Sequence, residues 1–264
     1  MGTILDKIFA DKKVELDDTK RAMPLAKLKD LIGQREAVRD VAHALRRKPG
    51  GATRIIAEIK RKRPFKGDLR KDFDAKAIAK IYSESGAAAL SVLTESKYFG
   101  GSLDVLSQTR SIVDIPLLRK DFIFADYQVY EARAFGADMF LLIATWLEKS
   151  QISDLMHLGR EMGLTALVET HHEKDLEKAF ATGATLIGIN NRDLSTGKTD
   201  LSIARRLLKP ASMDPNNILV CESGINTREE IDEFEKMGAD AFLVGESLVT
   251  ADDISAKLRR LLNG

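Results

Sequence analysis

The chain has 264 residues with 41 Lys and Arg against 40 Asp and Glu, a formal net charge of +1, so bulk electrostatics give no support for nucleic-acid binding. A hydrophobic content of 44% with 31% charged residues is that of a globular protein, and its apolar runs are strand-length, too short to span a bilayer. One cysteine, Cys221, excludes an intramolecular disulfide, and its place in a predicted strand marks it as a buried, inert thiol. The segment Met1–Lys7 lacks a basic start followed by an apolar core, so no secretory signal is expected and the expected location is cytoplasmic.

Residues 1–50 read as a helical extension. Ile4, Leu5, Ile8, Phe9 and Val14 recur at helical spacing, as do Leu25, Leu28, Leu31 and Ile32, and then Val38, Val41 and Leu45. The Pro49-Gly50-Gly51 punctuation closes the region. Residues 51–264 then read as one domain in which strand and helix signals alternate eight times. The predicted strands are 54–60, 88–94, 116–120, 138–143, 164–169, 185–190, 217–222 and 241–245. The predicted helices are 75–85, 103–112, 127–135, 150–162, 173–182, 201–208, 228–237 and 254–262.

Nearly continuous Val/Ile/Leu runs are the pattern of strands buried on both faces, as in a parallel sheet. Gly-Ala pairs at 86–87, 136–137, 183–184 and 238–239 each follow a helix and precede a strand. Glycine there supplies the left-handed residue that ends a helix. Eight βα units with right-handed crossovers fit an α/β fold of the (β/α)8 TIM-barrel type with an N-terminal helical extension. A doubly wound open sheet is the alternative, but the loop after the first strand, 61–67, has no G-x-G-x-x-G.

Several of these strands end in a charged or amide residue: Glu58 and Lys60, Lys120, Glu169, Asn190 and Glu222. A buried charge is costly unless it has a partner or a task. Singly, each admits an ordinary explanation, such as an interior ion pair for Glu58 and Lys60 or a turn cluster for 190–193. Together they fall at the carboxyl ends of barrel strands, which form the catalytic face. Two lysines and two glutamates around one pocket can tune each other's protonation, as acid–base catalysis requires. Glu222-Ser223-Gly224-Ile225 and Leu243-Val244-Gly245-Glu246-Ser247 form a second constellation. Small residues after the seventh and eighth strands let backbone N–H groups approach a phosphate. His43, His157, His171 and His172 show no metal-ligand spacing and are expected to cap or to face solvent, and no metal site is expected.

The motifs Ile56-Ala57-Glu58-Ile59-Lys60-Arg61, Ser91-Val92-Leu93-Thr94-Glu95, Tyr98-Phe99-Gly100-Gly101-Ser102, Leu118-Arg119-Lys120-Asp121-Phe122-Ile123 and Leu167-Val168-Glu169 stand in order along the chain. The run 187–194 and the two phosphate-grip segments complete the set. In this combination the chain resembles the indole-3-glycerol phosphate synthase family of tryptophan biosynthesis over nearly its whole length. The resemblance implies conversion of 1-(2-carboxyphenylamino)-1-deoxyribulose 5-phosphate to indole-3-glycerol phosphate with loss of carbon dioxide and water, a carboxy-lyase reaction needing no cofactor. It implies Lys120 as general acid in ring closure and Glu169 as base in the dehydration, with Lys60 assisting that step and contacting phosphate. Glu58 and Asn190 would orient substrate hydroxyls and the lysines. Phe99 and Phe122 would wall the aromatic ring, Arg192 and Ser223 would complete the substrate pocket, and Gly224, Gly245 and Glu246 would offer N–H groups to the phosphate. The extension resembles the family's amino-terminal segment near the catalytic face.

The chain departs from the family in its first loop, where Arg63-Pro64-Phe65-Lys66-Gly67 replaces a usual Ser-Pro-Ser-Lys-Gly. Arg63 is expected to swing to solvent, or else to hold a substrate anion by a forked hydrogen bond. The expected partner is a small phosphorylated molecule, with no nucleic acid and no membrane, and the expected state is a monomer or weak homodimer. The rivals are another phosphosugar-converting barrel enzyme and a non-catalytic phosphate-ligand binder.

Overall fold

A computed structural model describes residues 4–64, 67–193 and 196–264. Three helices come first, α1 (Ile4–Ala22), α2 (Leu25–Gly33) and α3 (Val41–Leu45), followed by strand β1 (Arg54–Ile59). The short strands β2 (Lys62–Arg63) and β3 (Gly67–Asp68) pair antiparallel in the first loop. The sequence predicts only a loop there, because two-residue arms are too short to show alternation. Phe65 and Lys66 lie outside the described residues.

The chain then alternates: α4 (Ala75–Glu84), β4 (Ala89–Leu93), α5 (Leu103–Arg110), β5 (Leu117–Lys120), α6 (Asp126–Ala134) and β6 (Met139–Ile143). It continues through α7 (Lys149–Glu161), β7 (Thr165–Thr170), α8 (Glu173–Ala181), β8 (Leu186–Asn190), α9 (Ser202–Ala211) and β9 (Ile218–Glu222). It closes with α10 (Arg228–Lys236), β10 (Ala241–Val244), α11 (Glu246–Val249) and α12 (Ile254–Asn263). Eight parallel strands form a closed barrel in the order β1-β10-β9-β8-β7-β6-β5-β4, with β4 returning to β1. This is the TIM-barrel architecture the apolar runs predict.

Successive strand residues point to opposite sides, and that period positions the site. Ile56, Leu118, Leu167, Val220 and Leu243 belong to one apolar cluster that fills the barrel. Two residues further along the chain stand Glu58, Lys120, Glu169 and Glu222 at their strand ends and Gly245 just past β10, which therefore form the layer above it. Residues that alternate with these, such as Ala57, Leu117 and Val168, pack outward in the cluster beneath the helices.

The extension wraps the barrel from one end to the other. The buried stripe of α1 is Leu5, Ile8, Phe9, Lys12 and Leu16, so Val14, predicted to be apolar-facing, instead points to solvent at 67% exposure. At 100° per residue Val14 lies off that stripe, and a lysine takes the seam position. Phe9 stacks on Trp146 with centroids 4.2 Å apart and meets Phe122 edge-on at 5.4 Å. The chain then crosses to the amino ends of the strands. There the Arg39 amide donates to Asp138 Oδ1 at 2.8 Å, and the Arg46 guanidinium donates to the carbonyls of Pro215 and Asn216 at 2.7 and 2.6 Å.

Candidate active site

The carboxyl ends of the strands open into a cavity of about 1150 Å³. Phe99 and Phe122, from the loops after β4 and β5, wall it together with Ile8 of α1. Their rings lie 6.2 Å apart, and the Glu95 carboxylate fixes Phe99 by accepting the amides of Tyr98 and Phe99 at 2.7 and 2.9 Å. Arg63, Arg192, Ser223, Gly224, Gly245 and Glu246 line it from the loops after β1, β8, β9 and β10. Glu58, Lys60, Lys120, Asn190 and Glu222 also face the cavity.

Lys120 is the hub. Its ammonium donates to Glu169 Oε2 at 2.8 Å and to Glu222 Oε2 at 2.5 Å. Asn190 Nδ2 donates to the other Glu169 oxygen at 3.0 Å, and Asn190 Oδ1 accepts the Arg192 amide at 2.9 Å. Glu169 is buried at the floor of this cluster, in contact with the cavity-lining Lys120 and Asn190. Lys60 pairs with Glu58, and Ser91 Oγ lies 3.4 Å from the other Glu58 oxygen. The interior ion pair that the sequence admits for Glu58 and Lys60 is therefore present, at the cavity wall.

Burial disfavours every charge here, and the neighbours decide the outcome. Burial acts to lower the Lys120 pKa, but Glu169, Glu222 and Glu58 together hold its ammonium above the ordinary range. Burial would raise Glu169, yet the Lys120 charge and hydrogen bond keep it below its usual value. Glu58 is likewise lowered against its burial, by Lys60 and Lys120. Glu222 goes the other way: burial and the Glu169 charge push it up to about 8 against the pull of Lys120. One carboxylate and one carboxylic acid therefore share the lysine near neutrality.

Two glycines make room for this cluster. A Cβ at Gly188 would overlap Glu222 Oε1, and one at Gly245 would overlap Glu58 Oε1. Ser223 holds φ at 65° without being glycine, a strained conformation of the kind that gathers at functional sites.

Comparison with known proteins decides the family. The family model for indole-3-glycerol phosphate synthase matches residues 5–261. The chain belongs to the indole-3-glycerol phosphate synthase family. Its similarity to curated members is full-length. It is 46% identical over 263 residues to the indole-3-glycerol phosphate synthase of Desulfosudis oleivorans, covering 99% of each chain. It is 45% identical over 272 residues to that of Roseiflexus sp. strain RS-1, covering 100% of each. Among solved structures, a 3-hexulose-6-phosphate synthase from Salmonella typhimurium aligns with a TM-score of 0.63 at 11% identity over 79% of this chain and 96% of that one. That likeness speaks to the fold alone.

Three residues of this family member behave otherwise than its sequence predicts. His171 is buried, its Nδ1 2.7 Å from the Asn190 carbonyl oxygen, so it braces the strand end rather than facing solvent. Arg63 does not swing to solvent: its guanidinium donates to both oxygens of Glu246 at 2.7 and 2.8 Å. Glu222, which the sequence places at the catalytic face as a strand end without giving it a role, sits in the middle of the cluster on Lys120. Its alternation with Val220 was the available signal.

Proposed function

We propose that this chain performs the family's ring closure with Lys120 as the general acid. The observation that carries the proposal is the Lys120 ammonium held between Glu169 and Glu222 beside an aromatic wall. As the carboxylate-bearing ring carbon attacks the ketone, negative charge grows on the ketone oxygen. An alkoxide is a stronger base than an amine, so a proton passes downhill even from an ammonium whose acidity is weakened. Departure of the ring carboxylate as carbon dioxide restores aromaticity, so the step needs no electron-sink cofactor.

Dehydration follows. Glu169, oriented by Asn190, takes the proton from the carbon beside the hydroxyl, and Lys60, set by Glu58, assists the hydroxyl's departure as water. Phe99 and Phe122 hold the aromatic ring. Arg192, Ser223, Lys60 and the amides of Gly224, Gly245 and Glu246 receive the sugar phosphate. Residues 1–50 and the barrel act as one catalytic unit, because α1 supplies part of the cavity wall. We further propose a cytoplasmic monomer or weak homodimer with no nucleic-acid partner. The net charge of +1 supports the latter, and no helix among the described residues is long and apolar enough to cross a membrane.

The test is turnover of synthetic 1-(2-carboxyphenylamino)-1-deoxyribulose 5-phosphate, followed by indole fluorescence, in the parent and in Lys120→Met. Loss of about 10²- to 10⁴-fold in kcat with substrate still bound is expected of a lost general acid. A parent that binds the substrate without turning it over would refute the catalytic reading.

A further inference from the structure

Arg63 stands where the family usually has serine, and its side chain carries no assigned task. Both oxygens of Glu246 accept from its Nη1 at 2.7 and 2.8 Å. A second guanidinium, Arg192 Nη2, lies 3.8 Å from Glu246 Oε2. All three side chains line the cavity beside Ser223, Gly224 and Gly245, in the loops where small residues expose backbone amides. Two guanidinium groups around one carboxylate leave positive charge over. A carboxylate and a phosphate monoester offer an arginine the same paired acceptor oxygens.

We propose that Glu246 occupies Arg63 in place of a phosphate, and that Arg63 transfers from this carboxylate to the phosphate of the bound ligand. Arg63 is then a specificity-determining residue of this chain. Its selectivity is for a phosphate dianion over an uncharged sugar end, and the Glu246 carboxylate is the competitor that any anion must displace. The inference rests on the reading that this part of the cavity receives phosphate. It goes beyond that reading by assigning opposite effects to two side chains that touch each other.

A fixed strut between the first loop and α11 would use the same two side chains, and the two ideas part on the sign of one substitution. Glu246→Gln keeps the backbone amide and removes the competing charge, so it tightens phosphate binding. Arg63→Gln removes the guanidinium donor and weakens it. In the double variant the gain from Glu246→Gln shrinks to what the Arg192 guanidinium can supply, because Arg63 is no longer there to be released. If the pair were only a strut, either single variant would loosen the loop and both would weaken binding.

The measurement is calorimetric titration of the parent and the three variants with inorganic phosphate and with glycerol 3-phosphate. Inhibition by the same anions, measured in the ring-closure assay, provides the second readout. An affinity loss of about tenfold in Arg63→Gln and a gain of a few-fold in Glu246→Gln are expected, since tenfold corresponds to one charge-assisted hydrogen bond. Arg63→Lys, which keeps the charge but not the fork, should lie between. Weaker phosphate binding in Glu246→Gln, or unchanged binding in Arg63→Gln, overturns the inference and leaves the proposed ring closure standing. A parent that turns over substrate yet binds neither anion overturns the phosphate reading of these loops, and the inference with it.

Discussion

Lys12 of α1 and Asp121, the residue after Lys120, form a buried ion pair, with Nζ 3.1 Å from Oδ1. Asp121 spends its other oxygen on Arg119 at 3.0 Å and on Thr94 Oγ1 at 2.6 Å, and its Oδ1 also accepts the Phe122 amide at 2.9 Å. One carboxylate thus joins the extension to the strand end that carries Lys120 and to the backbone of Phe122. The preceding residue of α1, Asp11, holds Lys97 at 2.7 Å and bonds Tyr98, next to Phe99. Neighbouring residues of one helix grip both loops of the aromatic wall.

Lys12→Met should therefore loosen the active site as well as the fold. Removing one partner of a buried pair costs about 3–5 kcal/mol when the other is stranded. Asp121 keeps Arg119 and Thr94, so a loss of roughly 2 kcal/mol is expected here. Trp146 is the only tryptophan of the chain, and it stacks on Phe9 of α1, so its emission reports docking of the extension. A red shift in Lys12→Met together with a fall in kcat is the expected result. Unchanged emission with parental kcat would show that the pair holds nothing in place.

Acid should expose the same pair through its linkage. Burial would raise Asp121, but Lys12 and Arg119 lower it from 3.8 to about 2. A depressed carboxylate contributes stability that is complete above its unfolded value and disappears as pH falls through the folded value. The window is therefore from about pH 4 down to about pH 2 for this group, with a contribution of roughly 2 kcal/mol. Denaturant unfolding across that range should show a steeper loss in the parent than in Asp121→Asn. Parallel curves would place the acid sensitivity elsewhere.

Glu222 should govern the alkaline limb of activity. Its pKa is raised by burial and by Glu169 to about 8, so above that pH a second full carboxylate holds the Lys120 ammonium and makes it a poorer acid. The expected kcat/KM profile falls above about pH 8 in the parent, and the fall is absent in Glu222→Gln. Stability has its own sign: the folded state keeps a proton that the unfolded chain loses, so this group lowers stability as pH rises from about 4.5 to about 8. An alkaline limb that survives in Glu222→Gln would assign it to another group.

Gly188→Ala tests the space that Glu222 occupies. The added methyl overlaps Glu222 Oε1 on a strand that cannot shift alone. An overpacking cost of about 1–3 kcal/mol is expected. Because Glu222 must move from Lys120, kcat should also fall by about tenfold or more. A variant as active as the parent would show that Glu222 needs no fixed position.

Much of this was legible before any tertiary contact was known. Apolar runs, four of them preceded by a Gly-Ala pair, predict every barrel strand to within a residue or two at each end. The period of two along a strand then puts Glu58, Lys120, Glu169 and Glu222 on the layer above the barrel core. The hairpin of β2 and β3 was illegible, because it carries too few residues for any period. Val14 misled because an apolar side chain at roughly helical spacing says nothing about which angular stripe finds a surface to cover.

By itself the sequence determined the barrel, its catalytic end and the residue types gathered there, since these follow from periods of two and 3.6 that act within a few residues. Only the tertiary structure decided which charges meet. Lys120 reaches Glu222 across 102 positions and Arg63 reaches Glu246 across 183. Such pairs depend on how barrel closure sets strand register and on which desolvated charge lies nearest, and no local pattern encodes either.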